Sequence, residues 1–66
     1  MTKNQAIEAM RNDVKVTHRY FSPNEFIYMK KDGTIYSEDG YSHPLFWELR
    51  KSPEWEIDWE VYEGTD

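Results

Sequence analysis

Trp55-Glu56-Ile57-Asp58-Trp59-Glu60-Val61-Tyr62-Glu63 is the stretch whose reading decides the fold. Apolar residues occupy every odd position from Trp55 to Val61, with acids between them at Glu56, Asp58 and Glu60. A period of two is the pattern of a strand with one buried and one wet face. Wound as a helix, the same residues would scatter around the circumference and bury no coherent stripe. The reading is therefore a final strand with Trp55 and Trp59 turned inward, forming the floor of the core.

Working back from that strand, Val14-Lys15-Val16-Thr17-His18-Arg19 alternates in the same way. It predicts a first strand with Val14, Val16 and His18 on one face and Lys15, Thr17 and Arg19 on the other. Antiparallel to the final strand, Lys15 and Arg19 would face Glu56, Asp58 or Glu60, pairs worth about 0.2–1 kcal/mol each that set register more than stability. Between the two lie Phe26 to Lys30 and a strand beginning Thr34-Ile35-Tyr36. Asp32-Gly33 joins them as a two-residue hairpin turn. In that register Ile27, Met29 and Tyr36 share one face and Phe26, Tyr28 and Ile35 the other. Both faces of the hairpin are apolar, and one small core covers only one of them.

Two helical stretches complete the order. Thr2-Lys3-Asn4-Gln5 has the pattern of a capping box and opens a helix through Arg11, stopped at Asn12-Asp13 with Asn12 in the left-handed conformation. Ser22-Pro23-Asn24-Glu25 reads as a turn. Ser42-His43-Pro44 introduces a second helix from Pro44 to about Lys51, and Ser52-Pro53 ends it. The fold class is α+β: a small antiparallel sheet of three or four strands with two short helices, in the order α-β-β-β-α-β. Residues 1–66 form a single domain, with no internal repeat, low-complexity tract or linker.

Composition sets the outer bounds. At 66 residues the chain is close to the smallest size that folds alone, and it has no cysteine to staple it. The absence of cysteine fits a reducing cytoplasm. No apolar run approaches the roughly 20 residues that span a membrane. Met1-Thr2-Lys3-Asn4-Gln5 leads into no signal-type segment, so no secretory leader is expected. The expected location is cytoplasmic, the host cell cytoplasm if the chain is phage-encoded. Three Trp, five Tyr and three Phe are more aromatics than one small core hides. Some of them belong to a partner or ligand surface. A net charge of −5 counts against nucleic acid as a partner and is compatible with a basic protein.

No catalytic machinery is legible. His18 and His43 are the only histidines, and no cysteine completes a zinc site with them. His18 reads as a hydrogen-bonded residue of the apolar strand face and His43 as a loop or capping residue; no metal site is expected. Asp32-Gly33 and Glu38-Asp39-Gly40 are turns without the ligand spacing of a calcium loop. The acids of the final strand read as a solvated or Lys/Arg-paired row rather than a carboxylate pair for acid–base work. No nucleophile elbow, phosphate loop, triad or cofactor motif is present. His18-Arg19-Tyr20-Phe21 stands out: a cation and two aromatics at a strand end offer stacking planes and a fork for a base or a phosphate. The competing reading makes Tyr20 and Phe21 core plugs, with Arg19 paired to the acidic strand.

Ala6-Ile7-Glu8-Ala9-Met10 through Lys15-Val16, followed by His18-Arg19-Tyr20-Phe21, resembles the opening of a family of small phage proteins. Those begin with a short helix, a turn, a K-V-x-R strand and an aromatic residue. The ending Asp58-Trp59-Glu60-Val61 is similar to the D-W-E-V that closes the same family, which includes the second type of Thoeris anti-defence protein. The likeness covers roughly half of the chain, at its two ends. The family's usual arginine falls at His18 and its Gly-Trp pair at Tyr20-Phe21, while the segment from Ser37 to Pro53 aligns with nothing. The resemblance implies an oligomeric, non-catalytic sponge that sequesters a cyclic nucleotide-like immune signal. Its ligand site is expected at Arg19, Tyr20 and Phe21, reinforced by Lys15 and His18, between subunits of a homo-oligomer. The alternative is an acidic interaction module that inhibits a basic host or defence protein such as a nuclease.

Overall fold

The structure, a computed structural model, describes residues 1–63. Helix α1 (Lys3–Arg11) is followed by β1 (Val16–His18), β2 (Ile27–Met29), β3 (Ile35–Ser37), a 3-10 turn (Pro53–Glu56) and β4 (Trp59–Val61). The four strands form one antiparallel sheet in the order β3-β2-β1-β4. The fold is α+β with a small antiparallel sheet; the helix and four strands follow in the order read from the sequence, but a 3-10 turn stands in place of the second helix. No helix of the described residues is long and apolar enough to cross a membrane.

Helix α1 is built by its ends. Thr2 Oγ1 accepts the Gln5 amide at 3.2 Å, and Gln5 Oε1 accepts the Thr2 amide at 2.9 Å, a complete capping box. At the other end Asp13 N–H donates to the Met10 carbonyl and Val14 N–H to the Ala9 carbonyl, the paired bonds of a Schellman stop. The left-handed residue is Asp13, at φ 64°, rather than Asn12, which caps at φ −103°. Between these ends Ala6 and Met10 are buried against the sheet, with Ile7 and Ala9 beside them.

The hairpin loop has three residues, not two. Gly33 N–H donates to the Lys30 carbonyl and Lys30 N–H to the Thr34 carbonyl, with Gly33 at φ +87°. This is a type I turn followed by a left-handed glycine. The extra residue pairs Met29 with Ile35 and Tyr28 with Tyr36. Shifting a strand by one residue exchanges its faces. Ile27, Met29 and Ile35 therefore face the helix, and Phe26, Tyr28 and Tyr36 face away, which interchanges Ile35 and Tyr36 relative to the sequence reading.

β4 is shorter than the alternation predicts. Asp58 sits at φ 69°, a left-handed conformation that breaks an extended run, so the strand starts only at Trp59. Upstream, Ser52 and Pro53 open a 3-10 turn that carries Trp55, and Ile57 is exposed. The second helical stretch is this turn; Pro44 to Lys51 is a series of turns. Its backbone bonds mix spacings of three and four, Phe46 to His43, Leu49 to Leu45 and Arg50 to Trp47. The segment buries Phe46 and packs the adjacent, partly buried Trp47 against the core, while Leu45 and Leu49 remain exposed. Without an i, i+3, i+4 stripe, so short a segment does not recover the cost of nucleating a helix. Ala6, Met10, Val16, Ile27, Ile35, Phe46 and Trp59 make up the buried core, on the helix side of the sheet.

Candidate functional site

The residues singled out at the end of β1 separate in space. His18 is 3% exposed, and each ring nitrogen has partners. Nδ1 accepts the Tyr20 amide at 3.1 Å, so Nε2 carries the proton and lies 3.0 Å from the Glu54 carbonyl and 2.8 Å from that of Ile57. The imidazole thus ties β1 to both ends of the stretch entering β4. Trp55 and Trp59 flank it, at ring centroid distances of 4.4 and 4.7 Å. Phe21 turns inward, edge-on to Trp59 at 5.7 Å. Tyr20 is exposed, with its ring 5.9 Å from that of Trp55. Arg19 is exposed and pairs with Asp58 at 3.7 Å, the cross-strand pairing expected of the acidic strand. Lys15 lies four residues back along extended chain, on the order of 13 Å away. His18, Tyr20 and Phe21 therefore cluster around Trp55, whereas Arg19 and Lys15 stand apart.

Lys15 belongs instead to a surface that the sequence reading raised without resolving. The helix covers one side of the sheet, and the other carries a row of rings. In β1–β4 pairing Val16 stands opposite Val61, and Tyr62 N–H donates to the Lys15 carbonyl at 2.9 Å. In β1–β2 pairing Val16 stands opposite Ile27, which places Lys15 beside Tyr28 one residue on. Tyr28 then pairs with Tyr36. Outward side chains thus run Tyr62, Lys15, Tyr28, Tyr36 across the four strands. Thr17 is the small neighbour of Lys15 on that face, and its hydroxyl donates to the Glu25 carbonyl at 2.8 Å. Phe26 and Tyr62, from strands on either side of β1, meet above it at 4.5 Å.

The row is continuous. Phe26 is 6.3 Å from Tyr28, and Tyr28 stacks on Tyr36 at 5.7 Å with an interplanar angle of 20°. Lys15 Nζ lies 4.9 Å from the Phe26 centroid and Lys30 Nζ 4.2 Å from that of Tyr36. Each contact contributes on the order of 0.5–1 kcal/mol at an exposed site and holds an ammonium over the rings. All four rings are half-buried, packed against one another and beneath Lys15 and Lys30. An antiparallel sheet with one solvated face ordinarily alternates apolar-in and polar-out; β1 and β4 do so, whereas β2 and β3 carry Tyr28 and Tyr36 outward. At the hairpin end a hollow lined by Tyr28, Lys30 and Lys31 adds a third cation, Lys31, beside Asp13 and Asp32. Glu60, paired with Thr17, stands beside the strip, and at the sheet edge Glu38 Oε1 accepts the Phe26 amide at 3.3 Å. Chemically the surface offers flat π-faces for a planar ring and ammonium groups for an anion beside it.

The turn after β3 gathers a third polar group. Ser37 Oγ donates to Asp39 and lies 3.0 Å from His43 Nε2, which leaves His43 as the donor to the hydroxyl. The Ser37 hydroxyl and the Tyr41 amide hold the Asp39 carboxyl below its ordinary range. The Thr34 amide, with its side chain, does the same for Asp32 in the hairpin loop. The serine proton is directed to the carboxylate rather than the imidazole, so the trio stitches a turn together instead of activating a nucleophile. Among the described residues no three His, Asp or Glu side chains gather as a metal site. Compared with known proteins, the chain matches no family model, no curated protein and no solved structure.

Proposed function

We propose that the chain is a non-catalytic binding protein of the phage anti-defence type, which sequesters a cyclic nucleotide-like immune signal on its open sheet face. The observation that carries this reading is the stacked row Tyr62–Phe26–Tyr28–Tyr36 with Lys15 and Lys30 over its rings. A nucleobase stacked on such a row gains about 1–3 kcal/mol per base, and the ammonium groups meet its phosphates. The resemblance at the two chain ends points the same way and rests on the sequence alone. In this reading the ligand lies between the open faces of two copies, so that both sides of the base are covered. Charge is local: the protein is acidic overall, and the cations needed by an anion stand at Lys15, Lys30 and Lys31.

The test is a thermal-shift panel of cyclic dinucleotides, cyclic trinucleotides and cyclic ADP-ribose isomers, followed by calorimetry on any that raise the melting temperature. Tyr28→Ala and Lys15→Ala should each weaken binding at least tenfold while leaving the fold intact, because both side chains lie on the face away from the core. A rise that is lost in Arg19→Ala but kept in Tyr28→Ala would move the ligand to the end of β1. No rise with any of the panel would favour the second reading, an inhibitor of a basic protein. That reading has its own support in the acidic margin Glu54, Glu56, Asp58, Glu60 and Glu63, whose ion pairs are Lys3 to Glu56 and Arg19 to Asp58 among the described residues.

A further inference from the structure

On the helix side of the sheet, behind the Ser37–Tyr41 turn, a cleft of about 280 Å³ opens beside Arg50. Its apolar wall is Phe21, Ile27 and Phe46, and its rim is the turn with Glu25 across from it. Arg50 lies between two aromatic rings. Its guanidinium carbon is 4.0 Å from the Phe46 centroid and 5.2 Å from that of Trp55, so the plane is gripped by rings belonging to two segments. Desolvation by this burial pulls the guanidinium below its ordinary range, partly offset by the charge of Glu25. Its Nε is buried with no hydrogen-bond partner, and one Nη reaches only the Phe46 carbonyl, at 3.4 Å. Among the described residues Arg50 makes no ion pair, although three carboxylates share its cleft.

Those carboxylates are occupied by their own loops. Glu25 accepts from the Ser22 amide at 2.9 Å and the Ser22 hydroxyl at 3.1 Å, Glu38 from the Phe26 amide, and Asp39 from Ser37 and Tyr41. They are fixed as a negative rim instead of folding over the arginine. A pre-positioned guanidinium with free Nη donors selects a carboxylate. The rim repels a simple anion and requires a cation on the same molecule. A hollow this size lies just below the range of drug-sized pockets, about 300–1,000 Å³, and suits a small molecule. We infer that the Arg50 cleft binds a small zwitterion of the α-amino acid type, its carboxylate on the Arg50 Nη groups and its ammonium toward Glu25, Glu38 and Asp39. This site stands on the face of the sheet opposite the aromatic row and does not depend on the function proposed for that row.

Trp55 against Arg50 provides a built-in fluorescent reporter, and amide resonances of Ser37, Tyr41 and His43 provide a second. The experiment titrates the wild-type chain with each of the twenty amino acids, and with acetate and ethylamine as half-ligands. At least one amino acid should bind with a Kd below about 1 mM and shift those three resonances, while both half-ligands leave them unmoved at the same concentration. Arg50→Lys keeps the charge but loses the fork, and should weaken binding at least tenfold. Glu25→Gln keeps the Ser22 bonds but loses the negative charge, and should also weaken it. No binding by any amino acid, acetate binding as tightly as an amino acid, or affinity unchanged in Arg50→Lys would each overturn the inference. The wild-type resonances decide the matter even if a variant does not fold.

Discussion

Replacing Trp59 by alanine should remove about half or more of the protein's stability. Trp59 is completely buried, and its ring meets His18, Trp47, Phe21, Trp55 and Phe46 at centroid distances from 4.7 to 6.3 Å. Its indole N–H donates to the Trp55 carbonyl at 2.8 Å. Truncating a buried aromatic to alanine costs about 3–5 kcal/mol in transfer and cavity terms. The lost hydrogen bond adds roughly 1 kcal/mol. A chain of 66 residues has a total stability on the order of 3–10 kcal/mol at 0.05–0.15 kcal/mol per residue. The expected loss is therefore half of the total or all of it. Trp59→Phe keeps a ring in place, and should cost clearly less than Trp59→Ala. Glu60→Ala, one residue on and exposed on the opposite face, should stay within about 0.5 kcal/mol of wild type. Urea denaturation followed by far-ultraviolet circular dichroism is the assay, because tryptophan fluorescence changes with the substitution itself. If Trp59→Ala and Glu60→Ala unfold at the same urea concentration, the packing of β4 described above is wrong.

Other perturbations test other links. His18→Phe preserves a ring but strands the Tyr20 amide and the carbonyls of Glu54 and Ile57; urea denaturation should show a loss of about 1–3 kcal/mol for each group left buried and unpaired. Asp13→Gly should stabilise the fold by about 0.5–1 kcal/mol, since glycine adopts the left-handed stop of α1 without strain, and calorimetry should show a melting temperature higher by a few degrees. Asp32 has its folded carboxyl below the ordinary value of 3.8, so its contribution is present above that value and lost as pH falls through the lower folded one. The melting-temperature gap between wild type and Asp32→Ala, present near about pH 6, should accordingly narrow as the pH is lowered below 3.8. Self-association through the open face is checked by light scattering after size exclusion: a mass of at least two chains is expected, and Tyr28→Ala should lower it. A wild-type monomer at all accessible concentrations would remove the two-copy arrangement from the proposed function.

Local chemistry was legible in the sequence. The capping box at Thr2 and Gln5, the inward face of Val14, Val16 and His18, the buried Trp59 and the pairing of Arg19 with the acidic strand all follow from spacing of a few residues. Each depends on a period or a neighbour that the chain carries with it. So does the fold class, because α1 and the alternating segments have different periods. The candidate surface was half legible: two apolar faces on one hairpin showed that something must cover the second, but a two-residue loop count set Ile35 and Tyr36 on the wrong faces. A single residue in a turn exchanges them, and only the hydrogen bonds of Lys30, Gly33 and Thr34 decide its count.

Tertiary structure decided the rest, because it depends on residues far apart in the chain. The alternation from Trp55 to Val61 promised one long strand, yet the imidazole of His18 holds the carbonyls of Glu54 and Ile57, and Asp58 takes a left-handed turn between them. The run from Pro44 to Lys51 had the composition of a helix, but the core accepts Phe46 and Trp47 side by side and winds no stripe. The aromatic row joins Tyr62 to Phe26 across β1, and Arg50 is fixed by Phe46 and Trp55 from two separate segments. Periodicity in sequence reports which side of an element is apolar. Which elements meet, and therefore which side chains share a surface, is set by the packing of the whole chain.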